Sequence, residues 1–321
     1  MKLATIDDSA DGHVGVLVGD DEILDLVLLR EIAPRAHLVP RSLRGVLDAG
    51  EDGLELVRRC IGDAEGSSAG ERERLAEIGA LGAFSSTPLL AVIPDPRLIL
   101  SVGLNYGRHL EEMSGTPRPR HPTAFLKVAS SLTGSGKPIV VPPQCPDMID
   151  FEGEFCFVFG RACHDVGVDE AMSHVAGYTI ANDVSARDWV GDFFGAEAKF
   201  DTIHAWERNI MGKQLPGFTP CGPVMATADE IADPHDLQLT TTLNGEVMQS
   251  TRTDDLIFKL PEMISYFSKW YRFQPGDFVT TGSPAGVGFG RDPKVFMKPG
   301  DTVEIELEGV GKLTNPLVAG A

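Results

Sequence analysis

Positive charge is scarce in this chain. Against 47 aspartates and glutamates stand 28 lysines and arginines, a formal net charge of -19. So acidic a surface repels phosphate backbones and anionic bilayers, so neither nucleic acid nor membrane is an expected partner. An anionic ligand would need a locally basic pocket. No stretch reaches the ~20 consecutive apolar residues of a membrane span. The start, Met1-Lys2-Leu3-Ala4-Thr5-Ile6-Asp7-Asp8, carries acids where a secretion signal needs an apolar core, and a cytoplasmic location is expected. The five cysteines (Cys60, Cys145, Cys156, Cys163 and Cys221) are odd in number, scattered and without a C-x-x-C pair, which argues against disulfides or structural zinc. No G-x-G-x-x-G follows a strand candidate and no G-x-x-x-x-G-K-[ST] occurs, so a nucleotide-binding fold is not expected.

What is present suits strands and turns. A chain of 321 residues, 42% hydrophobic, can bury one large core, or a large and a small one. Gly 35 and Pro 22 favour many turns over a helical bundle. Alternating stretches such as His13 to Val18 are bounded by turn formers at Ser9-Ala10-Asp11-Gly12 and Gly19-Asp20-Asp21. Helical spacing follows at Leu43, Val46, Leu47, Leu54, Val57 and Arg58, then a polar helix-favouring run from Glu71 to Leu81. This half, residues 1–88, holds no cluster of catalytic side chains and reads as a small N-terminal domain.

Residues 89–321 form a second regime, dominated by strands. Candidates are Leu89 to Pro94, Leu98 to Gly103, Ile139 to Val141, Gly153 to Phe159, Tyr178 to Ala181, Leu237 to Leu243, Phe278 to Thr281 and Thr302 to Leu307. Turn signals separate them at Leu243-Asn244-Gly245-Glu246, Gln274-Pro275-Gly276-Asp277 and Lys298-Pro299-Gly300-Asp301. Helices are predicted at Ala171 to Val175 and Lys259 to Trp270. The expected class is α+β, mainly β, mixed but mostly antiparallel.

Chemistry concentrates in a few places. Glu152 and Glu154 sit two apart at the head of an aromatic strand, so both leave one face while Phe155, Phe157 and Phe159 take the other. Crowded at the edge of a core they repel, a cost that an oxygen-ligated divalent cation would remove; at a solvated strand end they would need none. The run Tyr178-Thr179-Ile180-Ala181-Asn182-Asp183 delivers a third carboxylate to a sheet rim, unless Asp183 caps a helix over residues 184–188. Three carboxylates and no His or Cys point to Mg²⁺ or Mn²⁺, with Ca²⁺ also admitted, and away from zinc. On a short helix His109 and Glu112 share a face, as in a general-base pair or an ordinary surface pair. Lys127, Arg108, Arg187 and Lys213 are the basic candidates for an anionic substrate. Thr281 and Gly282, in the glycine-rich run Thr280 to Gly288, could offer hydroxyl and N–H donors.

In this order the motifs closely resemble the fumarylacetoacetate hydrolase family. The matching residues are Val102-Gly103-Leu104-Asn105-Tyr106 with His109 and Glu112, Phe125-Leu126-Lys127 with Ser130 and Ser131, and Phe151-Glu152-Gly153-Glu154. They continue through Asn182-Asp183-Val184-Ser185-Ala186-Arg187-Asp188, Gly212-Lys213 with Phe218, Pro220, Gly222 and Pro223, Leu243-Asn244-Gly245-Glu246, and Thr281-Gly282-Ser283-Pro284 with Gly286-Val287-Gly288. The similarity runs from about Leu98 to Leu317.

The resemblance implies a mixed β-sandwich roll, a homodimer, and a small N-terminal α/β domain. It implies that Glu152, Glu154 and Asp183 bind Mg²⁺ or Mn²⁺, that His109 and Glu112 activate water, and that Lys213 faces the reacting centre. Lys127, Thr281, Gly282 and Arg187 would contact a small anionic oxo acid. The implied activity is hydrolysis of a carbon–carbon bond in a 2,4-dioxo acid of acylpyruvate or fumarylpyruvate type. Isomerisation or decarboxylation of a related 2-oxo acid is the alternative, and a catalytically silent binding protein the remaining one. Two departures bear on the substrate: Val190 stands where many relatives place a glutamine, and the segment from Gly191 through Phe194 to Glu207 is longer than the pattern.

Overall fold

A computed structural model of the chain describes residues 1–19, 21–113, 116–193 and 195–321; Asp20 of the 19–21 turn and Phe194 of the 191–207 segment lie outside them. The fold is α+β with mixed sheets. Its centre is the strand Gly153–Phe159, buried along its whole length. Strand alternation sends Phe155, Phe157 and Phe159 to one side, where they pack with Tyr178, Ile180, Leu239 and Ile305, while Val158 meets Cys221, Met225 and Phe278 on the other. Each buried phenylalanine contributes on the order of 1.5–3 kcal/mol. Aromatic residues buried on this strand anchor both layers.

Among the described residues the larger sheet has eleven strands. From one edge it runs Leu81–Ala83, Glu22–Asp25, His13–Val18, Lys2–Ile6, Thr219–Thr227, Val175–Asn182, Gly153–Phe159, Phe278–Thr280, Ile99–Gly103 and Thr123–Lys127, with Leu132–Thr133 pairing beside Thr219–Thr227. Most pairs are antiparallel; Phe278–Thr280 with Ile99–Gly103 is parallel. The N-terminal strands thus join the same sheet through Lys2–Ile6 and Thr219–Thr227. A second, five-stranded sheet orders Glu246–Arg252, Gln238–Leu243, Thr302–Leu307, Gly311–Ala319 and Ile139–Val141, and packs on the phenylalanine face.

In the N-terminal part Leu43, Val46, Leu47, Val57 and Cys60, on helices Leu43–Asp48 and Gly50–Glu65, cover Leu3, Val14 and Val16. Residues 66–70 read G-x-S-x-G, but Ser68 is the N-cap of helix Ala69–Glu77, bonded reciprocally with Glu71, and is no nucleophile turn. All five cysteines are free and buried.

Three expected elements differ. The run 89–94 is no strand: it makes one bridge, Ile6 to Leu89, and its Ala91, Val92 and Ile93 fill the N-terminal core beside strand-breaking prolines. The helix expected from Ala171 is Val168–Ala171, followed by a 3₁₀ turn, and Val175 opens a strand. Helix Leu260–Ser268 ends before Trp270, which is 70% exposed. Among the described residues no helix is long and apolar enough to cross a membrane.

Candidate active site

The register of two central strands gathers three carboxylates at one rim. Gly153 pairs with Asn182 and Glu154 with Ala181. The Asp183 amide then donates to the Glu152 carbonyl at 2.9 Å, and Asp183 caps no helix, because a strand, Ser185–Ala186, follows. One oxygen from each of Glu152, Glu154 and Asp183 lies within 4.8 Å of the others, so the triad could hold a metal ion. Glycine is needed between the two glutamates, since a Cβ at Gly153 would stand 2.1 Å from Thr241 Oγ1 of the second sheet.

Cations surround two of the three acids. Lys213 Nζ lies 2.6 Å from Asp183 Oδ2 and 2.9 Å from Glu152 Oε2, Lys127 Nζ bonds Asp183 Oδ1, and Arg187 Nη2 bonds Glu152 Oε1. Burial opposes charge on Glu152, yet Lys213 and Arg187 outweigh it and hold the carboxyl down at about 2. Glu154 has no ion-pair partner among the described residues; Gly282 N–H donates to it at 3.0 Å. Burial first, then Asp183 and Glu152, push its carboxyl up to about 8. A buried, all-oxygen cluster with one acid lacking a countercharge fits a hard cation. Lys127 answers the same field differently: burial lowers its pKa despite Asp183.

The second half of the site comes from the segment after strand Ile99–Gly103. Leu104 takes a φ of 55°, a conformation costing a non-glycine residue on the order of 1–3 kcal/mol. Asn105 holds it there, accepting from Phe258 N at 2.8 Å and donating to Thr281 O at 3.1 Å. Helix Gly107–Glu112 follows, and His109 Nδ1 stands 3.1 Å from Glu112 Oε2. Gly286 N–H donates to the Glu112 carboxylate at 3.2 Å, fixing it from the glycine-rich loop. His109, Glu112, the three acids, Arg187 and Lys213 all line one cavity of about 600 Å³.

Other expected contacts lie elsewhere. The Thr281 hydroxyl donates to Phe155 O at 2.9 Å and is buried away from the cavity. Gly282, with a φ of 95°, turns its N–H to Glu154. Lys127 is buried behind Asp183. Arg187 reaches the cavity but is committed on three sides, with Nε 3.0 Å from Asp150 Oδ2, Nη1 3.0 Å from Asn209 Oδ1, and Nη2 on Glu152. Asp150 and Asn209 carry no motif that marks them from sequence. Asp150 also accepts from Gly288 N at 2.7 Å and Phe289 N at 3.2 Å, so it ties the loop that fixes Glu112 to the arginine that fixes Glu152. The long segment supplies a cavity wall through helix Lys199–Met211, with Thr202, Ala205, Trp206 and Asn209 lining it.

A carboxylate triad that could hold a metal ion and a histidine–glutamate pair line one cavity at the rim of a mixed sheet. Residues 98–318 match the family described as Fumarylacetoacetate (FAA) hydrolase C-terminal, and the chain belongs to that family. It is similar to the human protein named oxaloacetate tautomerase FAHD2B, mitochondrial (36% identical over 280 residues, 87% of this chain and 81% of that protein). It is similar to oxaloacetate tautomerase YisK of Bacillus subtilis at 31% identity, covering 99% of this chain and 100% of that one. The crystal structure of maleylpyruvate hydrolase from Sphingobium sp. SYK-6 with manganese(II) and pyruvate superimposes with a TM-score of 0.70 at 26% identity, covering all of both chains.

Proposed function

We propose that this protein hydrolyses the C3–C4 bond of a 2,4-dioxo acid, releasing pyruvate and a carboxylic acid. The observation that carries this reading is that a histidine oriented by a glutamate and a carboxylate triad line the same cavity. His109 takes a proton from water as its oxygen adds to C4, and Glu112 stabilises the imidazolium. Lys213 has three N–H donors, two of them engaged by Asp183 and Glu152, leaving one for the C4 oxyanion. Collapse restores the C4 carbonyl of the acid product, breaks C3–C4 and leaves the electron pair on the three-carbon enolate, which the histidine's proton converts to pyruvate. Held by Glu152, Glu154 and Asp183, Mg²⁺ or Mn²⁺ would supply positive charge beside the oxo-acid head. The manganese and pyruvate named with the maleylpyruvate hydrolase support both the metal and the product class.

The two tautomerases favour a second reading, interconversion of the keto and enol forms of oxaloacetate. It shares proton transfer at C3 and needs no attacking water. Incubating metal-loaded protein with acylpyruvates, and separately with enol-oxaloacetate, distinguishes the two. Hydrolysis predicts stoichiometric pyruvate and acid; enol decay without acylpyruvate cleavage would replace it with tautomerisation.

A further inference from the structure

We infer that the cavity contains, beside the reacting centre, a subsite for a bulky uncharged acyl group, built by Phe125, Val190, Phe193, Ala205 and Trp206. This rests on the 2-oxo-acid reading above and narrows it: the distal end of the substrate is apolar and is not a second carboxylate.

Three observations carry it. A pyruvyl head at the triad fills a small part of a cavity of about 600 Å³. The same cavity is lined by the apolar side chains of Phe125, Val190, Phe193, Ala205 and Trp206, with Val190 only 2% exposed and Trp206 50% exposed. Finally, the lysine and arginine side chains among the described residues lining the cavity are Arg187, committed to Asp150 and Glu152, and Lys213, held by Asp183 and Glu152 with its remaining donor assigned above to the C4 oxyanion. The other polar side chains lining the cavity are His109 and Glu112, which pair with each other, Ser283, which accepts from Gln249, Thr202, and Asn209, whose Oδ1 is already bonded to Arg187. A distal carboxylate would exchange water for neutral donors and lose solvation, whereas an alkyl or aryl group gains by leaving water.

The wall has its own fastening. Arg208 of helix Lys199–Met211 lies 4.7 Å above the Trp189 ring and 5.4 Å from that of Phe193, and donates to Trp189 O at 2.7 Å. That contact pins the helix to the 189–193 turn, which carries Val190 and Phe193. The segment that lengthens the chain at this point is therefore the one that shapes the acyl side.

Calorimetric titration of Mn²⁺-loaded protein with simple 2-oxo acids, which have no C4 carbonyl to hydrolyse, tests the subsite apart from the reaction. From 2-oxobutanoate to 2-oxoheptanoate the affinity is expected to rise about fourfold per methylene. 2-Oxoheptanoate should bind at least tenfold more tightly than 2-oxoadipate. Trp206→Ala should cut that ratio about tenfold, and Trp206→Arg should invert it. A flat series, or tighter binding of 2-oxoadipate by the wild type, overturns the subsite. A rising series in a protein that releases no pyruvate from acylpyruvates supports the subsite and removes only the hydrolytic reading.

Discussion

Asp183 and Glu152 are joined by a backbone hydrogen bond of 2.9 Å, from the amide of the one to the carbonyl of the other. Two acids far apart in sequence thereby sit on adjacent strand ends whose positions the whole sheet enforces. Neither can withdraw from the other without breaking the register of the central pair. Their repulsion is built into the fold, and Lys127, Lys213 and Arg187 lie against the two acids and offset it.

Glu154 carries the unbalanced charge, and metal binding is expected to report it. With its carboxyl pushed up to about 8 by burial and by Asp183 and Glu152, a proton competes with the cation below that pH. The apparent affinity for Mg²⁺ or Mn²⁺ should rise close to tenfold per pH unit up to about pH 8 and then level off. Titration of metal-stripped protein between pH 6 and about 9 checks the slope, and Glu154→Ala should abolish binding. Unchanged binding in the variant contradicts the triad.

The His109–Glu112 pair is expected to affect turnover and not metal affinity. His109→Ala should lower kcat on an acylpyruvate by about 10²- to 10⁴-fold, the span of general-base catalysis, while the Mn²⁺ dissociation constant stays within about twofold. Full residual turnover rejects the pair as water activator.

Arg187 is expected to behave as a positioning residue. Its side chain is 11% exposed and bridges Asp150, Glu152 and Asn209. Arg187→Ala leaves Asp150 and Glu152 buried without it, a loss of about 3–5 kcal/mol by urea unfolding. Arg187→Lys restores the charge but not the planar fork, so stability should recover in part while metal affinity remains lowered. Equal recovery of both would show that charge alone matters there.

A separate pair away from the site sets a pH dependence of stability. His13 Nε2 lies 2.7 Å from Asp25 Oδ2, and Nδ1 lies 2.9 Å from Asp8 Oδ2. Burial by itself would lower the imidazole pKa, but Asp25 and Asp8 outweigh it and raise it above its ordinary 6.5. The stabilisation is complete below about pH 6.5 and is lost as pH rises through the higher folded value. The melting-temperature gap between wild type and His13→Gln should therefore be widest near pH 6 and narrow in alkaline buffer. A gap that widens with pH contradicts the pairing.

Much of this was legible in the residues. Strands Ile139–Val141, Gly153–Phe159 and Thr302–Leu307 fall where alternation and turn residues put them, and Asn244 and Gly245 adopt φ values of 52° and 83°, as a tight hairpin requires. The acids and the His109–Glu112 pair each read equally well as surface charge taken alone, and only the resemblance of the motifs in their order singled them out; the structure brings them to one cavity. Helix Lys199–Met211 was not legible: it buries no residue, and Phe200, Ile203, Trp206 and Met211 face outward or the cavity, so no core-facing stripe marks it. The run 89–94 misled for the opposite reason, being apolar for packing and not for pairing. The commitment of Arg187 to Asp150 and Asn209 depends on tertiary distance, which no spacing encodes.

Pyruvate release measures the central claim most directly. Metal-loaded protein is incubated with an acylpyruvate bearing an apolar acyl chain, and pyruvate and the carboxylic acid are quantified together. The expected result is one pyruvate per acid, dependent on Mg²⁺ or Mn²⁺ and lost in His109→Ala. Conversion of enol-oxaloacetate by protein that leaves every acylpyruvate intact would contradict the hydrolytic account.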